Sequence, residues 1–141
     1  MRFLACLLLL CTAGSALAAD TRHPVTMPTL QRELIRADMV AHLATLQQVQ
    51  ELLADNKLQE AATLAENELG VSSMGKNAAK SQGKGPGQFM PPEMRAIALG
   101  MHRDASDFAK IAQQGDRTAA YRALLKVSGA CISCHASYRI E

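Results

Sequence analysis

The 141-residue chain has no tryptophan, two tyrosines and three phenylalanines, and no stretch interleaves aromatic with basic residues. Fifteen basic against thirteen acidic side chains leave no dominant charge. Nucleic acid is therefore not an expected partner. β-Branched residues are sparse and no apolar/polar alternation stands out, so a β fold is not expected. The one strongly apolar run, Phe3 to Cys11, is too short for a membrane span, which takes about 20 residues. Cysteine is confined to Cys6, Cys11, Cys131 and Cys134.

The N-terminus has the layout of a secretory signal. Arg2 supplies the positive start, Phe3 to Cys11 the apolar core, and Ala16-Leu17-Ala18 a small-x-small cleavage site. Cleavage after Ala18 is expected to leave residues 19–141 as a single periplasmic domain of roughly 120 residues with no membrane anchor. Lipidation at Cys11 is the rival reading, but Leu10 is bulkier than the small residue expected before a lipidated cysteine. Cleavage removes Cys6 and Cys11. Four exported cysteines would suggest a disulfide framework; the remaining pair, in one C-x-x-C-H, suggests a haem.

Periodicity predicts an all-α chain with four helices. The first runs from Pro28 or Thr29 to Ala54, with Ile35, Met39, His42, Leu46, Val49 and Leu53 along one seam. After the polar turn Asp55-Asn56-Lys57, the second covers Leu58 to Leu69, with Gly70 expected as a left-handed terminator. The glycine-rich stretch through 70–91 is a long connection, either mobile or folded over something. Pro91-Pro92-Glu93 opens the third helix, whose seam is Met94, Ile97, Met101, Ala105, Phe108 and Ile111, and Gly115 ends it. Asp116 caps the fourth, in which Tyr121, Leu124, Leu125 and Val127 lead into the cysteine motif. Short connections after the first and third helices predict an up-down-up-down antiparallel four-helix bundle.

Cys131-Ile132-Ser133-Cys134-His135 fits covalent haem attachment, two thiols bonding the vinyl groups and the adjacent imidazole taking the iron. With so little chain after it, a sixth ligand is sought upstream. A zinc site would need more than His23, His42 and His102 without a second cysteine pair. A thioredoxin-like dithiol would be expected at a helix N-terminus beside a βαβ pattern, whereas this pair falls late in a helical chain. A haem-free redox dithiol or metal-binding module remains the reading from another class.

The run from Val127 to Arg139, containing C-x-x-C-H-x-x-Y-R, resembles the end of the cytochrome c prime family, the class II c-type cytochromes. The match is specific in this stretch and looser elsewhere, although helix order and length are similar over nearly the whole mature chain. The resemblance implies a four-helix bundle with haem c near the C-terminal end of the fourth helix. It implies Cys131 and Cys134 as thioether links, His135 as proximal iron ligand, Arg139 beside the proximal haem face and Tyr138 packed before it. Arg139 would equally cap the last carbonyls or pair with a haem propionate, and Tyr138 would equally be a packing residue.

The distal ligand is open at this level. Residues from about Leu34 to Leu43 are expected to face the haem, leaving Met39, His42, or an open site screened by Ile35 or Leu34. His102 and Met101 on the third helix, and Met74 or Met90 in the connection, are further candidates. A Met/His iron implies electron transfer with a redox partner protein; an open site implies binding of small gases such as NO or CO. Neither implies an enzyme, and a peroxidase-like pairing of His42 with Arg36 is disfavoured because Arg36 falls off the seam. Lys76, Lys80 and Lys84 would attract an acidic partner or simply be solvated. Ala61, Ala62 and Ala65 would permit a homodimer through close helix packing, and serve equally well inside a monomer.

Overall fold

A computed structural model describes residues 19–141. The signal sequence, with Cys6 and Cys11, lies outside the described residues. The described chain is mostly helical. Its helices are α1 (Thr29–Ala54), α2 (Leu58–Glu68), α3 (Pro92–Ala112) and α4 (Arg117–Ser137). Among the described residues no helix is long and apolar enough to cross a membrane.

The boundaries follow local chemistry. Prolines precede two of the helices, Pro28 before α1 and Pro91 before α3, each in an extended conformation that hands the chain into a helical turn. Asp116 caps α4 as expected, its carboxylate accepting from the Ala119 N–H at 2.9 Å. Gly115, at φ +85°, takes the left-handed conformation that leads the chain away from α3. Gly70 departs from expectation. It is not left-handed (φ −71°), and its small size serves another purpose: a Cβ there would lie 2.7 Å from the Glu66 carbonyl oxygen. Close approach, not handedness, requires the glycine.

Consecutive helices pack, α1 on α2, α2 on α3 and α3 on α4, whereas α1 and α4 are not closely packed among the described residues. The main core draws on all four helices and is rich in alanine, with Ala61, Ala62, Ala105, Ala112 and Ala120 fully buried. Small side chains let the helix axes approach, and Phe108, also fully buried, supplies the volume between them. Ala61, Ala62 and Ala65 are thus spent inside the chain. On α4, Leu124 and Val127 are buried as expected, but Tyr121 and Leu125 face solvent.

Of two further features, the first was not expected from the sequence and the second is the folded-over alternative for the 70–91 connection. Residues His23–Val25 form a strand, β1, paired in parallel with β2 (Tyr138–Ile140), so that His23 stands opposite Tyr138 and Val25 opposite Ile140. Three-residue strands are too short to display alternation, and Pro24 argues against a strand in isolation. The second feature is the course of the 70–91 connection, which is folded over α1 and α3. The Gln31 amide donates to the Lys84 carbonyl (3.0 Å), Asn77 donates to Asp38 (2.6 Å), and the Val71 N–H donates to Ser106 on α3 (2.9 Å).

Candidate cofactor site

The cysteine motif occupies the last turns of α4, immediately before β2. Cys131 and Cys134 are both free thiols, three residues apart on one helix, where Cβ atoms stand about 5–6 Å from each other. The Cys131 residue is exposed, but its sulfur turns back along the helix and donates to the Val127 carbonyl at 3.4 Å. Burial pushes both thiols up from the ordinary cysteine range, and Cys131 adds to the rise at Cys134. The negative end of the α4 dipole acts in the same direction. Neither cysteine is a thiolate at neutral pH. This is the reverse of the environment that makes a nucleophilic dithiol.

Cys134 packs against a second apolar cluster, built from Val25, Met27, Ile35 and Met94 and joined by Met39, Phe89, Met90, Tyr138 and Ile140. Ile35, Met39 and Met90 also line a solvent-open cavity of about 560 Å³ bordered by α1, the 70–91 connection and α3. His42, Met74, Met101 and His102 line the same cavity. The candidate distal residues thus converge, apart from Leu34, which does not line it. No residue of α4 lines it among the described residues, and His135 is exposed on the outer side of the helix. Arg36 is exposed and also lies off the cavity, so it does not pair with His42 as a distal acid-base couple.

The histidines are in contact. The rings of His42 and His102 meet edge to face, centroids 6.0 Å apart, and His102 Nδ1 is 2.7 Å from the Leu69 carbonyl oxygen. Burial, and then the neighbouring His102, push His42 below the usual histidine range, with Asp38 opposing them. His42 is therefore neutral at pH 7. Among the described residues no three histidine, cysteine, aspartate or glutamate side chains gather as a metal cluster.

Around the C-terminus the structure adds residues that the sequence did not single out. Asp20 pairs with Arg22 at 2.7 Å, and this partner holds its carboxyl down to about 2. Arg22 also reaches the His135 carbonyl at 3.5 Å, and the His23 ring lies against Tyr138 with centroids 5.9 Å apart. Arg139 pairs with Glu141 and comes within 3.8 Å of Asp20, yet its buried Nε has no hydrogen-bond partner. The buried Nε of Arg32 on α1 is unpartnered too. Lys76 is held by Glu68 at 2.6 Å, leaving Lys80 and Lys84 as the connection's uncommitted cations among the described residues. Comparison of the chain with protein-family models, curated proteins and solved structures yields no match.

Proposed function

We propose that the chain is an exported, periplasmic monohaem cytochrome of the cytochrome c prime kind that acts in electron transfer. In this reading α1 to α4 form an antiparallel up-down-up-down bundle. Cys131 and Cys134 hold haem c through thioethers, His135 is the proximal ligand and Met39 the sixth. The observation that carries it is the shared cluster: Cys134 and Met39 both pack against the buried Val25, Met27, Ile35 and Met94, and Ile35, Met39 and Met90 also line the cavity.

The donor set agrees with the group. Two neutral thiols at C-x-x-C spacing are available for thioether bonds, and the exposed His135 imidazole is free to turn toward the iron. The buried Nε–H of Arg32 has no hydrogen-bond partner, and a haem propionate would supply an acceptor; Arg139 is already committed to Glu141 and faces Asp20 at 3.8 Å. Met27, Ile35 and Met94, all nearly fully buried, keep water from that side. Bound haem would provide a one-electron iron couple, with thioether and imidazole ligation favouring a higher potential.

A second reading, a five-coordinate binder of NO or CO, draws on one observation. Ile35 is buried in the same cluster whereas Met39 is only half-buried, so Ile35 would make an apolar distal wall. The haem-free dithiol reading has the raised thiols and the C-terminal helix position against it. Absorption spectra of protein made alongside a haem-ligation system test the assignment. A covalently retained haem with a low-spin Met/His spectrum is expected; a high-spin, CO-reactive spectrum selects the gas binder, and loss of all haem on acid extraction leaves only the dithiol or metal module.

A further inference from the structure

The apolar residues of α4 fall on two stripes. Ala120, Leu124 and Val127, at spacings of four and three, are buried in the main core. The same spacing recurs one residue later at Tyr121, Leu125, Ser128 and Ile132, about 100° further round the helix. This second stripe faces solvent: Leu125 is 70% exposed, Ile132 69% and Tyr121 40%. Single exposed apolar residues are ordinary, but three large ones in line over about 16 Å of one helix mark a contact surface. Charge on α4 is of one sign. Arg117, Arg122 and Lys126 are exposed, and no acidic residue occurs between Arg117 and Ser137. Among the described residues none of these three cations forms an ion pair. By helical position Arg122 and Lys126 border the stripe on one side and Arg117 on the other.

We propose that this outer face of α4 docks an acidic electron-transfer protein, with Leu125 and Ile132 as the apolar contacts and Arg117, Arg122 and Lys126 as the cationic rim. An apolar centre inside a charged rim is the anatomy of a protein–protein interface, and three uncommitted cations select an acidic surface and steer its approach. A second copy of the chain is a poorer occupant, because two-fold pairing through α4 sets one all-cationic helix against another. A bilayer is poorer too. It gains from a continuous apolar face, whereas this stripe is broken at Ser128 and Gly129, and nothing lies within 4 Å of the place a Gly129 Cβ would take. Leu125 and Ile132, about 10 Å apart along the axis, therefore stand as two knobs astride a notch, a shape that a protein surface complements.

The stripe ends inside the cysteine motif. Ile132 stands between Cys131 and Cys134 in the chain, while Cys134 packs on the buried cluster on the other side of α4. A protein seated on the stripe is thus about one helix diameter, some 10–12 Å, from a group that the cysteines hold on that side. That the partner exchanges electrons rests on the haem reading. The docking face itself does not, since none of its side chains belongs to the Cys134 cluster or to the cavity.

The test uses flavodoxin, a small acidic electron-transfer protein, as the probe. In stopped flow, one electron passes from its reduced flavin to the ferric haem of the mature, loaded chain. The second-order rate is expected to fall at least about tenfold in Arg122→Glu/Lys126→Glu and at raised salt, and about threefold in Leu125→Ser. Lys80→Glu/Lys84→Glu, which reverses the uncommitted cations of the 70–91 connection, is expected to change it less than about twofold. Binding is read separately by backbone amide shifts of the Cys131→Ser/Cys134→Ser chain, which carries no covalent haem. Flavodoxin is expected to move the signals of residues 117–133, so the face is tested whether or not the haem assignment stands; should that chain not fold, the same mapping on the wild-type chain as purified replaces it. Shifts that miss α4, a rate indifferent to the α4 charge reversal, an equal loss in Lys80→Glu/Lys84→Glu, binding to phosphatidylglycerol vesicles in place of flavodoxin, or sedimentation as a dimer that Leu125→Ser breaks would each overturn the proposal.

Discussion

Met39 on α1 and Cys134 on α4 pack against one buried apolar cluster, that of Val25, Met27, Ile35 and Met94. The two helices are otherwise not closely packed among the described residues. A group bonded to Cys134 and lying on this cluster would share it with Met39 and Ile35 of α1.

Met39→Ala is therefore expected to convert a low-spin ferric spectrum to high-spin and to lower the reduction potential, because thioether ligation favours the reduced iron. Its effect on stability is expected to be modest, about 1–2 kcal/mol, since Met39 is half-buried and fully buried methionines cost more. Visible spectra and a potentiometric titration check the first outcome. An unchanged spin state and potential would return Met39 to a packing role.

Phe108 fills the space that the alanine core leaves open. Its fully buried ring has Ala105, Ala109 and Ala112 on the same helix, and none of these can extend into the void. Phe108→Ala is expected to destabilise the fold by about 3–5 kcal/mol. Urea midpoints with an unchanged m-value measure this, and a loss under about 1 kcal/mol would mean that the core collapses readily.

Glu66 joins α2 to the start of the long connection. Side-chain hydrogen bonds from Ser106 and then Ser72 hold its carboxyl below the usual glutamate range, and Ser106 itself accepts from the Val71 N–H at 2.9 Å. The native state therefore prefers the ionised form. Its contribution is complete above the unfolded value of about 4.3 and is lost as pH falls through the lower native value. Glu66 is only half-buried, so screening keeps the effect below about 1 kcal/mol. Urea midpoints measured against pH are expected to fall more steeply for the wild type than for Glu66→Gln below about pH 4.5. Parallel profiles would show that the hydrogen bonds do not discriminate between protonation states.

Local chemistry was legible where one residue carries the signal. The seam of Ile35, Val49 and Leu53, the alanine face of α2, the Asp116 cap and the left-handed Gly115 all stand where periodicity and capping rules put them. Gly70 defeats those rules, because a sequence does not distinguish a glycine needed for its φ from one needed for closeness to Glu66. Leu125 and Tyr121 belong to an apolar run that suggests an inward face, yet α4 turns them to solvent, since such a run does not state which of its residues lie on the buried stripe. The pairing of His23–Val25 with Tyr138–Ile140 and the approach of His42 to His102 are long-range contacts without a local signature. Within the candidate site the cysteine motif was therefore readable, and the grouping of methionines and histidines around one cavity was not.

Haem bonded to Cys131 and Cys134 is the central claim, and the intact mass of the denatured, purified chain tests it most directly. Coexpression with a haem-ligation system is expected to give a chain beginning at Ala19 whose mass is increased by one haem, with the increment abolished in Cys131→Ser/Cys134→Ser. A wild-type chain that carries no haem mass and still reacts with thiol reagents at both cysteines would contradict it.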